Sequence, residues 1–221
     1  MTERAIRPFT GWPPEAFEWF RGLEANNSRA WFQQHRATYD DAVRGPLESL
    51  LAEVAEEFGD GKVARPNRDT RFSADKSPYK LQIYATIPHP GGGWYVQLRE
   101  GGLFAGGGLY APEGRQLASL RAAIADDRAG AKLESLIERL GADHLEVMVD
   151  GALKTAPRGY LVDHPRIALL RLRHLAAGIQ YEPARWLHTA RAKDRVVDAW
   201  RAVRPLLDWC AAHVPAGRQP S

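Results

Sequence analysis

The sequence predicts an α+β fold: an antiparallel meander sheet of about four to six strands, flanked by N-terminal and C-terminal helices. Three observations predict it. Apolar residues recur at helical spacing through residues 14–58. Alternating runs separated by glycine- and proline-rich turns fill residues 81–105. Helix-periodic apolar stretches return after residue 112 and again after residue 165. Together they describe a single α+β domain over residues 1–214, with residues 215–221 expected as a disordered tail.

The elements follow in order. Pro13 and Pro14 suit a helix start, Glu15 fits its first turn, and Phe17, Phe20 and Leu23 form one buried face. Asn26 and Asn27 end this helix, and Asn27 or Ser28 caps the next. That helix carries Trp31, His35 and Tyr39 four apart on one stripe, which reads as core packing or as a pocket wall. Pro46 opens a third helix with Leu47, Leu50, Leu51, Val54, Ala55 and Phe58 inward, and Gly59-Asp60-Gly61 closes it. Residues 81–87 alternate cleanly as a strand, with residues 88–93 as a turn and residues 94–98 and 103–105 as two further strands. Connections this short join antiparallel neighbours only.

A glycine-rich connection, residues 106–111, is expected to lead into a helix opened by Pro112. Glycine there lets a ligand approach the backbone, and the helix amides could face an anion. Its partial match to a dinucleotide fingerprint fails, because the preceding strands read as antiparallel and no acidic residue ends a following strand. Gly130 is expected to interrupt the helices that follow. A strand over residues 144–149, a return strand at Leu153-Lys154 and a loop over residues 155–165 come next. Then come a helix through Leu175, a short edge strand at 179–181 and closing helices rich in tryptophan and leucine.

Composition narrows the function classes. The chain has 221 residues, 44% hydrophobic and 26% charged, with a net charge of +3. These values are ordinary for a globular protein, although the last third leans basic. Cys210 is the single cysteine, so no internal disulfide and no cysteine-rich zinc site can form. No apolar run approaches the roughly 20 residues of a membrane span, and the first residues lack an apolar signal core. A cytoplasmic location is expected. The sequence holds no Gly-x-Ser-x-Gly elbow, Walker loop or His-Glu-x-x-His, indicates no cofactor, and scatters its seven histidines without ligand spacing.

The most charged stretch is Arg65 to Lys80. It gathers Arg65, Arg68, Arg71, Lys76 and Lys80 with Asp69, Asp75 and Tyr79. Lysine is rare in this arginine-rich chain, yet two lysines fall here, as does Asn67, one of three asparagines with Asn26 and Asn27. Read as a strand, Asp69, Arg71, Ser73 and Asp75 share one face, while Phe72 anchors the other. Guanidinium groups suit phosphate or carboxylate, because their planar fork donates two parallel hydrogen bonds. The aspartates would orient the cations or supply a base, although neighbouring cations push their pKa values down. They could also share a magnesium ion with a bound phosphate, in competition with the arginines.

The spacing Arg65-x-x-Arg68-Asp69-x-Arg71-Phe72-x-x-Asp75-Lys76-x-x-Tyr79 resembles the signature of an uncharacterised, mainly bacterial family, domain of unknown function 2461. Asn26-Asn27-x-x-x-Trp31-Phe32 with Tyr39 and Pro46, Gly107-Gly108-Leu109-Tyr110-x-Pro112, and Pro157-Arg158-Gly159-Tyr160 with Asp163-His164-Pro165 extend the resemblance along nearly the whole chain. It implies no activity.

The residues point first to a protein or enzyme that holds a small phosphorylated or carboxylated ligand. Arg65, Arg68, Asp69, Arg71, Asp75, Lys76, Tyr79, Lys80, Gly108 and Tyr110 are its candidate ligand-binding residues, and no metal ligands are assigned. Two other readings stand beside it. One is a nucleic-acid-binding module, with basic C-terminal helices and with Trp94 and Tyr95 as candidate exposed aromatics. The other is a structural ion-pair network in an interaction protein.

Overall fold

Pro14 occupies the first turn of helix α1 (Pro14–Ala25), where a missing N–H costs nothing. A computed structural model describes the chain over residues 8–71 and 74–216. The expectations for Phe72, Ser73 and residues 217–221 lie outside the described residues. Ala16, Phe17, Trp19, Phe20 and Leu23 form the buried stripe of α1. Ser28 caps α2 (Arg29–Gln34) by accepting the Trp31 N–H at 3.2 Å. The helical register breaks at His35 and continues as α3 (Arg36–Thr38), a π-helical turn (Tyr39–Arg44) and α4 (Gly45–Phe58). This break divides the expected stripe. Trp31 and His35 stack at 4.0 Å, whereas Tyr39 turns inward against Trp19 and Phe32. Gly59 ends α4 with φ 91°, a conformation that favours glycine.

Six antiparallel strands make one sheet: β1 (Lys62–Val63), β2 (Gln82–His89), β3 (Gly92–Arg99), β4 (Gly102–Leu109), β5 (Glu146–Val147) and β6 (Leu175–Tyr181). Their order is β1-β2-β3-β4-β6-β5. The meander β2-β3-β4 is the predicted one, with longer strands and shorter turns. Lys62 pairs with Thr86 and Val63 with Ala85, so β1 takes the place expected for a strand at 69–75.

Other expectations are corrected too. Residues 106–109 belong to β4 and not to a loop. Their glycines admit β6: a Cβ on Gly106 would stand 2.7 Å from the Gly178 Cα, and one on Gly108 2.7 Å from the Ala176 Cβ. The helix expected after Pro112 is α5 (Gly114–Ala125), whose N-terminal amides are engaged by a Glu113–Gln116 capping box. It gives way to α6 (Asp127–Ala142) at Asp126, whose side chain accepts the Ala129 N–H, so Gly130 lies inside a helix. The helix expected through Leu175 shrinks to α7 (Ile167–Leu170), and β6 is an interior strand, with β5 beyond it at the edge. No return strand forms at Leu153-Lys154; Leu153 makes one backbone hydrogen bond to Arg171.

A 3-10 turn (Arg185–His188) precedes α8 (Arg191–His213), which contains Pro205. Among the described residues no helix is long and apolar enough to cross a membrane. Contacts divide the chain into two compact units. The first comprises Met1–Ile87, Tyr95–Ala105 and Gln180–Val197, with Trp12, Phe20, Leu23, Leu47 and Leu50 in its core. The second comprises Pro88–Trp94, Gly106–Ile179 and Asp198–Ser221, built around Trp94, Trp200, Trp209 and Leu133. Cys210 is buried in this core, where burial pushes its thiol pKa up to about 12.

Candidate functional site

The charged stretch is an irregular surface loop of the first unit, tied down at both ends. Arg68 N–H donates to the Pro78 carbonyl and Lys80 N–H to the Pro66 carbonyl, each at 2.9 Å. An isolated antiparallel bridge joins Asn67 to Tyr79 between them. Asn27, beyond the end of α1, reaches the same point. Its Nδ2 donates to the Tyr79 carbonyl at 3.0 Å, and its Oδ1 accepts the Tyr79 N–H at 3.1 Å. One side-chain amide thus satisfies both polar groups of one peptide residue, as a β-strand neighbour would. Tyr79 is 6% exposed, and its ring stacks on Phe32 at 4.1 Å. Tyr79, proposed from sequence as a ligand contact, anchors the loop through these bonds.

Between the ties the side chains bond locally. Arg71 grips Asp69 through Nε–Oδ1 at 3.0 Å and Nη2–Oδ2 at 2.7 Å. The backbone N–H of Arg71 also donates to Asp69 Oδ1, at 3.2 Å. This self-bonding turns the chain at 69–71, and among the described residues of the expected strand at 69–75 none is in a strand. Arg68 pairs with Asp75, which also accepts the Ser77 N–H at 2.9 Å. The two carboxylates therefore serve different guanidinium groups. Lys76 Nζ donates to the Thr70 carbonyl and Lys80 Nζ to the Arg65 carbonyl, each at 2.9 Å.

Hydrogen bonds from the Arg71 side chain, then from its backbone, lower the Asp69 pKa to about 2. Ser77 lowers that of Asp75 through its side chain and backbone, and the Arg68 charge adds to this. Neither aspartate is tuned to act as a base near neutral pH. A carboxylate whose pKa is depressed by folding contributes its pairing above the unfolded value, about 3.9. That contribution is lost as pH falls through about 2. Carboxyl-carbon NMR is expected to place the Asp69 midpoint near this lower value, and Arg71→Ala, which removes the side-chain bonds but keeps the backbone one, to raise it toward the ordinary range.

The five cations and two aspartates of the predicted set thus lie on one loop, with Tyr79 beneath it. Gly108 and Tyr110 belong to the second unit. There Gly108 is buried, and Tyr110 is 62% exposed with its ring stacked on His174 at 5.4 Å. His174 is 6% exposed, and its Nε2 lies 3.5 Å from Asp150. The sequence gives His174 no distinguishing pattern. The sequence marked Asn27 as a cap, as a rare asparagine and as part of the family resemblance, but not as a partner of Tyr79.

A family model described as conserved hypothetical protein (DUF2461) matches residues 15–209, most of the chain. No curated protein matches the sequence.

Proposed function

We propose, for a chain that belongs to the conserved hypothetical protein family DUF2461, that the 65–80 loop binds a phosphate or carboxylate group carried by a small ligand. The observation that carries this reading is the company kept by the two lysines. Lys76 and Lys80 hold backbone carbonyls and, among the described residues, pair with no carboxylate. Five cations face two aspartates, an excess of three positive charges on a tethered surface loop. A carbonyl does not neutralise an ammonium, so an incoming anion meets uncompensated charge. Arg71 adds a fork that can turn from Asp69 to a ligand, since its side chain is 77% exposed.

That exposure also separates this reading from a structural staple. A solvent-exposed ion pair contributes little to stability, so Arg71→Ala and Lys76→Ala are expected to fold and melt close to wild type. Thermal unfolding against phosphorylated metabolites, nucleotides and polycarboxylates tests the proposal. A ligand at about a hundred times its dissociation constant adds roughly 2.7 kcal/mol, a rise of roughly 5–10 °C at this chain length. Both variants are expected to lose most of that rise. Equal responses from wild type and variants would remove the loop from consideration.

A further inference from the structure

The first unit also carries a row of aromatic rings beside the cationic loop. Alternation along β2, β3 and β4 sends Ile83, Ala85, Val96, Leu98, Leu103 and Ala105 to the buried face. Tyr84, Tyr95 and Phe104 point the opposite way and are half-buried. Their rings step across three neighbouring strands, 5.4 Å from Tyr84 to Tyr95 and 5.9 Å from Tyr95 to Phe104. Gln97 and Arg99 alternate with Tyr95 along β3 and share its face. The Tyr95 hydroxyl donates to Gln97 at 2.6 Å, and Arg99 reaches Gln180 at 3.4 Å. Lys80 joins the row to the loop: its Nζ stands 5.0 Å over the Tyr84 ring while it holds the Arg65 carbonyl. Trp94, a sequence candidate for an exposed aromatic, is 2% exposed and takes no part.

Resting on the anion-binding reading of the loop, with a polymer in place of a small ligand, we propose that the anion is the phosphate backbone of a single-stranded nucleic acid whose bases stack on the Tyr84–Tyr95–Phe104 row. Ring-on-ring packing explains the contacts within the row. It does not explain why a half-buried aromatic stripe ends at a loop with three excess positive charges. Base stacking on aromatic faces is tolerant of sequence, and lysine and arginine neutralise the phosphates that follow. The ring steps exceed the rise of about 3.4 Å per nucleotide in a stacked duplex strand, which favours splayed bases over paired ones. Short side chains on a sheet face also cannot reach bases inside a duplex.

The test uses the full chain and fluorescence anisotropy. Labelled oligo(U) and oligo(dT) of about 12 nucleotides are compared with a duplex of the same length, and inorganic phosphate is titrated separately by calorimetry. The single strands are expected to bind and the duplex to bind more weakly, the tighter of the two strands identifying RNA or DNA as the source. Log affinity should fall with log salt by about 0.7 per phosphate contacted, less steeply for Lys76→Ala. Tyr84→Leu and Phe104→Leu keep an apolar side chain and remove a stacking face. Each is expected to weaken the strand by about fivefold or more and to leave phosphate binding unchanged. Arg71→Ala, on the exposed loop, keeps the test open if a ring variant fails to fold, and is expected to weaken both strand and phosphate. Strand affinity indifferent to the rings, or equal for duplex and single strand, would overturn the inference. Phosphate binding without oligonucleotide binding would overturn it and leave the loop reading standing. Binding of neither would end both.

Discussion

Replacing Gly91 with alanine is expected to destabilise the protein by about 3 kcal/mol or more, the largest single-substitution loss foreseen here. Gly91 sits in the β2–β3 turn, and its N–H donates to His89 Nδ1 at 3.1 Å. A Cβ there would overlap the Leu207 carbonyl oxygen and stand 2.7 Å from the Ala211 backbone nitrogen. Both obstacles are main chain of α8 and cannot swing aside as a side-chain tip would. The methyl therefore forces the turn away from the helix that supplies Trp200, Leu206, Leu207 and Trp209 to the core. At this chain length the melting temperature should drop by roughly 6–12 °C. Gly114→Ala is the matched control, since a Cβ there meets nothing within 4 Å. It is expected to leave stability unchanged or slightly raised. Equal melting of the two variants would contradict this close approach.

Asn27→Ala is expected to cost about 2–4 kcal/mol and to abolish anion binding by the 65–80 loop. The substitution removes no charge. It leaves the N–H and carbonyl of buried Tyr79 without the partners that hold them at 3.1 and 3.0 Å. Each unpaired buried group costs about 1–3 kcal/mol, and water can recover part of this. Without the clasp, the five cations lose the frame that holds them together. Asn27→Asp sharpens the test. It keeps an acceptor for the Tyr79 N–H but faces the Tyr79 carbonyl with a second acceptor, so it should also fail. Denaturant unfolding and calorimetry with inorganic phosphate measure the two effects separately. A variant that loses stability while keeping full anion affinity would show that the clasp does not organise the site.

Much of the architecture was legible because local signals agreed with one another. Phe17, Phe20 and Leu23 lie between a proline start and an asparagine end, and α1 fills that span. Residues 81–105 alternate between tight turns, and a three-strand meander follows. The failures have particular causes. Leu175, Ala176, Ala177 and Gly178 are all buried, so β6 shows no alternation and its apolar run reads as helix. Three consecutive glycines read as a loop, although here they let two strands approach. At the site, composition revealed the charge but not its conformation. Asp69 accepts the backbone N–H of Arg71, two residues on, which periodicity does not encode. The Asn27–Tyr79 clasp spans 52 residues and involves main-chain atoms, so no motif reports it. The aromatic row became visible only once β2, β3 and β4 were set side by side.

Proton–nitrogen correlation spectra of the arginine Nε–H groups during titration with inorganic phosphate test the central claim most directly. Arg71 and Arg166 provide an internal comparison. Arg71 is exposed and paired within the loop, whereas the Arg166 side chain is 11% exposed and its Nε donates to Glu134 at 2.8 Å. The account predicts that the Arg71 resonance shifts saturably with phosphate, that Arg166 does not move, and that the Arg71 response disappears in Lys76→Ala. An unmoved Arg71 resonance, or one that drifts in step with Arg166, would contradict it.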